Sequence, residues 1–132
     1  MKKHLILLLF VSVLVRAQTS SVITGKDNKS WTLETKSAVY QINTDNNGKV
    51  NMMYFGDKSQ DTERLQRSLG EEVTVRGGFS SLTPMLEVIF PDKVRDIELE
   101  FDRSEMKQID GYNTLVLHQK DNYYPIEVTE YL

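Results

Sequence analysis

Apolar and polar residues alternate along most of the chain beyond position 30, and short turn sequences interrupt the alternation. Trp31 and Leu33 alternate with polar residues, and Tyr40 and Ile42 do so in the next run. The sequence at 44–48, Thr-Asp-Asn-Asn-Gly, separates this run from the following one and contains residues that tolerate positive φ. A period of two predicts strands with one apolar face, so the sequence predicts a β-hairpin here.

Further extended segments follow at shorter or longer intervals. They are predicted at 50–55, 73–75, 85–90, 94–101, 115–118 and 126–129. Turns are predicted at Pro91-Asp92-Lys93 and at Asp110-Gly111. The polar stretch 57–70 fits either a short helix capped by Asp61 or an irregular excursion. Seven or eight strands at this spacing predict an all-β fold, an antiparallel β-sandwich.

The first 17 residues differ from the rest of the chain. A basic start at Lys2 and Lys3 precedes an apolar run of about 11 residues, and Ala17 supplies a small residue before a polar stretch. This order is that of a secretory signal peptide cut after Ala17, and the apolar run is too short to cross a hydrocarbon layer of roughly 30 Å as a helix. We therefore expect a periplasmic or secreted protein, with no membrane attachment after cleavage.

The remaining chain divides into a linker at 18–29 and one domain at 30–132. The last residues, Glu130-Tyr131-Leu132, fall inside a strand pattern, so this domain is expected to be incomplete at its C-terminus.

Charge and cysteine content narrow the range of functions. Loss of the basic residues Lys2, Lys3 and Arg16 would change the formal net charge from −3 to −6. An acidic chain without a dense basic run disfavours nucleic acid as a partner. The sequence contains no cysteine, so no disulfide stabilises the domain and no cysteine nucleophile is available.

The sequence predicts no catalytic residue, no metal site and no cofactor. His118 is the single histidine beyond the leader and is expected to face solvent from a strand. A glycosidase needs two acids about 5 to 9.5 Å apart across the sugar bond. The adjacent Glu71 and Glu72 would point to opposite faces of a strand, and Glu98 and Glu100 would lie on a solvated face.

Aromatic side chains offer a different kind of carbohydrate contact, because rings stack on the apolar faces of pyranoses. Most of the aromatic residues fall in strand patterns that predict a place in the core. Tyr123 and Tyr124 lie beside a turn and are the predicted sugar-stacking residues.

The order of motifs along the chain resembles the N-terminal domain of α-galactosidases of glycoside hydrolase family 36. The resemblance covers roughly 30–132. It rests on the segments Val50-Asn51-Met52-Met53-Tyr54-Phe55-Gly56-Asp57-Lys58, Glu72-Val73-Thr74-Val75-Arg76-Gly77-Gly78, Pro84-Met85-Leu86-Glu87-Val88, Arg95-Asp96-Ile97-Glu98-Leu99, Leu115-Val116-Leu117 and Tyr124-Pro125-Ile126-Glu127-Val128-Thr129.

The resemblance implies a fold and a role. It implies part of a galactose-mutarotase-like supersandwich that packs on a catalytic (β/α)8 barrel and shapes the barrel's rim. The retaining hydrolysis of terminal α-galactosides would use two barrel aspartates that have no counterpart in this chain. A loop of the family's N-terminal domain reaches toward the sugar pocket, and Asp57, Asp61 and Arg76 are the corresponding substrate-rim candidates here.

The sequence is also compatible with two other functions. The chain would serve as a stand-alone carbohydrate-binding module if an aromatic row were exposed, or as a structural β-sandwich of the cell envelope. Uncovered strand edges and apolar surface would also favour a homo-oligomer.

Overall fold

The computed structural model describes residues 20–58, 70–73 and 85–132. These ranges contain eight strands, numbered in chain order. They are β1 (Ser21–Thr24), β2 (Ser30–Glu34), β3 (Ala38–Thr44), β4 (Val50–Asp57), β5 (Gly70–Glu71), β6 (Leu99–Ile109), β7 (Tyr112–Asp121) and β8 (Glu127–Tyr131). The predicted signal peptide, residues 1–17, lies outside the described residues. The described part of the chain has no helix long and apolar enough to span a membrane.

The strands form two antiparallel sheets. One sheet has the order β1-β2-β3-β4-β5, and the other has the order β6-β7-β8. Every strand pairs with its sequence neighbour within its sheet, and all these pairs are antiparallel. The predicted all-β antiparallel sandwich is confirmed.

Part of the segment predicted as a linker, 18–29, forms a strand. Residues 21–24 form β1, which pairs with β2 from Ser21 opposite Glu34 to Thr24 opposite Trp31. Val22 also packs against the central core. The segment is therefore part of the sheet, because a four-residue strand at an edge needs only one apolar side chain facing inward and carries little pattern.

The predicted hairpin at 44–48 is confirmed. The carboxylate of Asp45 accepts hydrogen bonds from the backbone N–H groups of Asn47 at 2.8 Å and Lys49 at 3.0 Å. Gly48 takes a φ of 79°, which a side chain would disfavour. Its carbonyl accepts a hydrogen bond from the Phe101 N–H at 2.8 Å, so this turn also ties one sheet to the other.

The second predicted hairpin turn, Asp110-Gly111, joins β6 to β7. Both residues have positive φ, 51° and 84° respectively, between the paired residues Ile109 and Tyr112. Two consecutive positive φ angles are those of the turn whose twist matches paired strands, and Asp-Gly is a favoured sequence for it.

The main core lies between the sheets. Trp31, Ile42 and Val50 of the five-stranded sheet pack against Leu115 and Leu117 of the three-stranded sheet, and none of these side chains is more than 2% exposed. A second, smaller cluster is centred on Val73, Ile97 and Leu99. The alternating pattern of the sequence supplies these inward faces, as expected for a sandwich.

Two strand predictions are wrong in extent. Residues 85–90 are not a strand, although burial alternates there and Leu86, Val88 and Phe90 pack on the second cluster. The strand predicted at 94–101 begins only at Leu99. Alternation records which side chains face the core, whereas a strand also needs a hydrogen-bonded neighbour, which a local pattern does not contain. Of the predicted strand at 73–75, only Val73 lies within the described residues; β5 covers Gly70–Glu71.

An irregularity in β4 changes which residues face the core. The register with β3 shifts so that Gln41 lies opposite Tyr54 while Ile42 lies opposite Met52, which leaves Met53 without a partner in the β3–β4 ladder. One extra residue in a strand reverses the faces of all residues beyond it. Tyr54 therefore shares the face of Gln41, opposite to the face of Ile42, and Phe55 lies beside Tyr40 instead. Tyr54 is buried on that outer face, and its hydroxyl donates to the Asp57 carbonyl at 2.9 Å.

Candidate functional site

The predicted sugar-stacking pair, Tyr123 and Tyr124, lies in the turn between β7 and β8. The last residue of β7, Asp121, organises this turn. Its Oδ1 accepts hydrogen bonds from the backbone N–H groups of Tyr123 at 2.8 Å and Tyr124 at 2.7 Å, and its Oδ2 accepts one from the Glu98 N–H at 2.6 Å. The turn that carries the two rings is therefore fixed by one side chain.

The environment of Asp121 favours its charged form. Burial acts to raise the pKa of this carboxyl, but the three backbone N–H donors outweigh it together and lower the pKa below its ordinary value of 3.8. At neutral pH the carboxylate is ionised and all three hydrogen bonds are charge-assisted. The turn is thus held in one conformation before any ligand arrives.

The structure gives the two tyrosines different environments. Tyr124 is half-buried, because its ring stacks on Phe90 with centroids 3.6 Å apart and its hydroxyl donates to Asp92 at 3.0 Å. Tyr123 is 79% exposed. Tyr124 therefore has a packing role in the second core cluster's rim, while Tyr123 presents a ring that a sugar can reach.

Of the three predicted rim residues, only Asp57 lies within the described ranges. Asp57 is the last residue of β4 and is exposed, lying opposite Ala38 in the ladder. Asp61 and Arg76 lie outside the described residues.

The environment of His118 differs from the expected one. The residue is 7% exposed instead of facing solvent freely. Its Nε2 lies 3.1 Å from Glu105 Oε1, and its Nδ1 lies 3.1 Å from Glu127 Oε1 and 3.2 Å from Thr129 Oγ1. His118 does point to the outer face of the three-stranded sheet, as alternation predicts, but long charged side chains from β6 and β8 cover it.

The charged side chains around His118, on the outer face of the three-stranded sheet, pair with one another. Arg103 contacts Asp102 at 2.6 Å and Glu127 at 3.1 Å, and Lys107 contacts Glu105 at 2.7 Å. Within the described ranges, no group of three or more histidine, aspartate or glutamate side chains is arranged to hold a metal ion. The cluster is a mutually satisfied network of opposite charges.

A second polar group, which sequence reasoning missed, lies between the sheets. The Tyr40 hydroxyl donates to Glu72, and Gln119 Nε2 donates to Glu130 Oε2 at 2.9 Å. Burial, together with the negative charge of Glu72, raises the pKa of Glu130 to about 7. Burial and the hydrogen bond to Glu72 likewise raise the pKa of Tyr40 above its ordinary value.

The sequence does contain a signal for this buried acid. Glu130 is two residues beyond Val128, so an alternating strand places it on the same, inward face. Both acids already have protein partners between the sheets, which is the arrangement of a structural polar pair.

An apolar cleft opens at one end of the sandwich. Its volume is about 340 Å³, and its wall includes Leu33, Tyr40, Phe55, Tyr112 and Leu132. Phe55 and Tyr112 are 69% and 57% exposed, and Phe55 meets Tyr40 edge to face with ring centroids 5.7 Å apart. Exposed aromatic side chains grouped in this way mark a surface that a partner can cover.

Two antiparallel sheets around a shared core place the chain among the β-sandwich proteins. No protein-family model and no curated protein matches it. Among solved structures, the chain is similar to the galactosidase domain of the alpha-galactosidase-sucrose kinase AgaSK, with a TM-score of 0.68 and 18% sequence identity. The match covers 83% of this chain and 20% of that one, so this chain spans about a fifth of its neighbour's length. At this identity the similarity establishes the fold.

Proposed function

We propose that the chain is a non-catalytic β-sandwich domain of an α-galactosidase-like glycoside hydrolase. In this role it packs on a catalytic barrel and shapes the rim of the barrel's sugar site, for terminal α-galactosides. Residues 1–17 direct export and are removed after Ala17, so the domain works in the periplasm or outside the cell.

The observation that carries the proposal is the extent of the shared fold. The similarity to a galactosidase domain includes 83% of the chain at a TM-score of 0.68, and both sheets contribute to it. The resemblance of the motif order to the family's N-terminal domain supports the same assignment independently of the coordinates.

The environment of the buried acids supports a role without bond cleavage. General acid catalysis needs a carboxyl that faces substrate. Glu130 has a pKa of about 7, but its carboxylate accepts a hydrogen bond from Gln119 between the sheets. The raised pKa of Glu130 follows from its burial, so we assign Glu130 a structural role between the sheets.

The apolar cleft supports packing against a further domain. Phe55 and Tyr112 expose most of their rings beside Leu33 and Leu132. Interfaces within multidomain chains bury surfaces of this kind, with aromatic residues at their centre.

The test isolates the native species that carries this chain. An antibody against the domain is used to precipitate it from the periplasm or medium of the source cells, and the precipitate is assayed with a chromogenic α-galactoside. We expect α-galactosidase activity in the precipitate and none when the antibody is first saturated with the purified domain. A precipitate that contains the chain but no activity would count against the proposal.

The exposed ring of Tyr123 favours one second function, a stand-alone carbohydrate-binding module. Saturable binding of melibiose or galactose by the purified chain, lost in Tyr123→Ala, would support it. If both the precipitation and this titration are negative, a structural β-sandwich of the envelope remains.

A further inference from the structure

The strands at the edges of the two sheets differ in how well they are protected against pairing with another strand. β1, β5 and β8 contain four, two and five residues, whereas β6 contains 11. β8 also carries Glu130 on its inward face, and an inward charge is a common protection of an edge. Within the described residues, β6 is therefore the one long edge strand, and its strand neighbour there is β7 alone.

The register of β6 shows which of its backbone groups face away from β7. Leu115 and Leu132 exchange both backbone hydrogen bonds, at 2.8 and 2.9 Å, so the odd-numbered residues of β7 direct their backbone groups toward β8. The even-numbered residues of β7 therefore bond to β6, whose odd-numbered residues lie opposite them between 103 and 109. The N–H and C=O groups of Ser104, Met106 and Gln108 consequently point away from β7, along the open edge.

The side chains at these positions lie on the inward face and carry no charge. Residues directly opposite each other in an antiparallel pair share a face. Ser104 lies opposite Leu117 and Met106 opposite Leu115, and both leucines belong to the core. Met106 is nevertheless 47% exposed. This edge therefore lacks the inward charge that protects β8, and it exposes an apolar side chain.

There is space beside this edge for an added strand. A cleft of about 430 Å³ opens between the β1–β2 turn, at Asn28 and Lys29, and the β6 residues Ser104 and Met106. A strand added beyond β6 would direct every second side chain inward, on the side where this cleft opens. A methionine suits such a space, because its unbranched side chain adapts to irregular gaps.

The charges on the outer face of β6 favour a second copy of the same strand. Arg103 and Glu105 lie beside His118, and Lys107 contacts Glu105 at 2.7 Å, so the outward charges alternate in sign. In an antiparallel pair about a twofold axis at Met106, Glu105 of each copy lies directly opposite Lys107 of the other. Opposite charges in directly facing positions stabilise a strand pair.

Other positions of the twofold axis fit less well. An axis at either of the charged residues that flank Met106 would place like charges opposite each other. An axis at Ser104 would need a regular ladder at Asp102, where the register of β6 shifts, and beside Phe101, whose N–H is already bonded to the other sheet at 2.8 Å. An axis at Gln108 would extend the pair into the turn after β6.

We propose that two copies of this chain associate through β6, antiparallel about a twofold axis at Met106, and join their three-stranded sheets into one sheet of six strands. Residues 104, 106 and 108 of both copies form about six backbone hydrogen bonds. The contact is small compared with that of a permanent dimer, so we expect a Kd on the order of 100 µM. The association uses residues of this chain alone and does not rest on the proposed function.

Cysteine cross-linking tests the register, because the chain contains no cysteine of its own. In Met106→Cys the new thiol lies opposite its copy, with the two Cα atoms about 5.5 Å apart, which a disulfide can span. Gln108→Cys is the matched control on the same edge, because its two copies lie roughly 14 Å apart along the strands. With oxidised glutathione and about 100 µM exported chain, we expect covalent dimer from Met106→Cys and little from Gln108→Cys.

A charge exchange tests the facing pair by sedimentation velocity of the exported chain. Lys107→Glu alone and Glu105→Lys alone each place like charges opposite each other, so each should raise the Kd at least about tenfold. An equimolar mixture of the two variants restores opposite charges across the axis and should recover the association. Variants that fail to fold would not regain it on mixing. Phe55→Ala, in the apolar cleft at the end of the sandwich, should leave the Kd unchanged.

Each outcome decides the inference. A chain that stays monomeric at about 1 mM would overturn it and leave the β6 edge to a strand of another protein. A dimer that Phe55→Ala abolishes, or one that Met106→Cys does not cross-link, would overturn it in favour of another surface. Charge variants that stay apart when mixed would also overturn it. None of these results bears on whether the chain co-precipitates with α-galactosidase activity, so failure of this inference and failure of the proposed function are distinguishable.

Discussion

The acid between the sheets makes stability depend on pH in a direction that most carboxylates do not. Glu130 lies beside Gln119, and the negative charge of Glu72, the residue after β5, acts on it. The hydroxyl of Tyr40 donates to Glu72 and adds no charge at neutral pH. The informative perturbation is Glu130→Gln, which keeps size and an acceptor oxygen for Gln119 but removes the negative charge.

The magnitude follows from the pKa of Glu130. A rise from the ordinary value of 4.5 to about 7 corresponds to at most about 3 kcal/mol. Glu130 is only half-buried, and screening by water reduces this contribution to about 1–2 kcal/mol. The unfolded chain loses the proton near pH 4.5 and the folded chain retains it to about pH 7. The destabilising effect of ionisation is therefore absent below pH 4.5, grows between these values and is complete above pH 7.

The assay is urea unfolding at a series of pH values between about 5 and 8. The free energy of unfolding of Glu130→Gln should lie closest to that of the wild type at pH 5 and exceed it by about 1–2 kcal/mol at pH 8. Glu98→Gln, at an exposed glutamate, is the control and should keep the wild-type slope. If Glu130→Gln retained that slope as well, the assignment of the buried charge would be refuted.

Three further substitutions test local packing by urea unfolding. Gly56→Ala should lower the free energy of unfolding by about 1–3 kcal/mol, because a Cβ at residue 56 would lie 2.6 Å from the Tyr54 hydroxyl. The loss should be smaller when Tyr54 is also replaced by Leu, and an equal loss in that background would contradict the explanation. Tyr123→Ala should change the free energy of unfolding by less than about 0.5 kcal/mol, whereas Tyr124→Ala should lower it by about 1–2 kcal/mol because the stack on Phe90 is lost. Equal effects of the two substitutions would contradict the assignment of an exposed Tyr123 and a packed Tyr124. Asp121→Ala should cost about 1–3 kcal/mol at pH 7, and less near pH 3 as the wild-type carboxylate becomes protonated; a difference that grew on acidification would contradict its lowered pKa.

The local signals of the sequence predicted the hairpins well, because each hairpin is specified by a few adjacent residues. Asp45 accepts hydrogen bonds within its own turn, and Gly48 and Gly111 provide the positive φ angles. Turn chemistry of this kind depends on nothing distant. The alternating pattern also predicted correctly that Trp31 and Ile42 face the core.

The site residues were harder to predict, because accessibility depends on neighbours that lie far away in the chain. Tyr123 and Tyr124 are identical in type and adjacent, yet Phe90 and Asp92 remove one of them from solvent. His118 alternates correctly to the outer face but is covered from β6 and β8 by Glu105 and Glu127. No local pattern contains these contacts.

The sequence by itself determined the class of fold, the two hairpin turns and the inward face of most strands, because period and turn chemistry are properties of neighbouring residues. Only the tertiary structure decided which alternating segments became strands and that Glu130 is paired beside Gln119 between the sheets. It also decided that Trp31 buries an N–H that has no acceptor among the described residues. These outcomes depend on which strands pair and on which residues the two sheets bring together. Strand pairing and sheet packing join residues far apart in the chain, and their free energies are set by contacts that a short stretch of sequence does not encode.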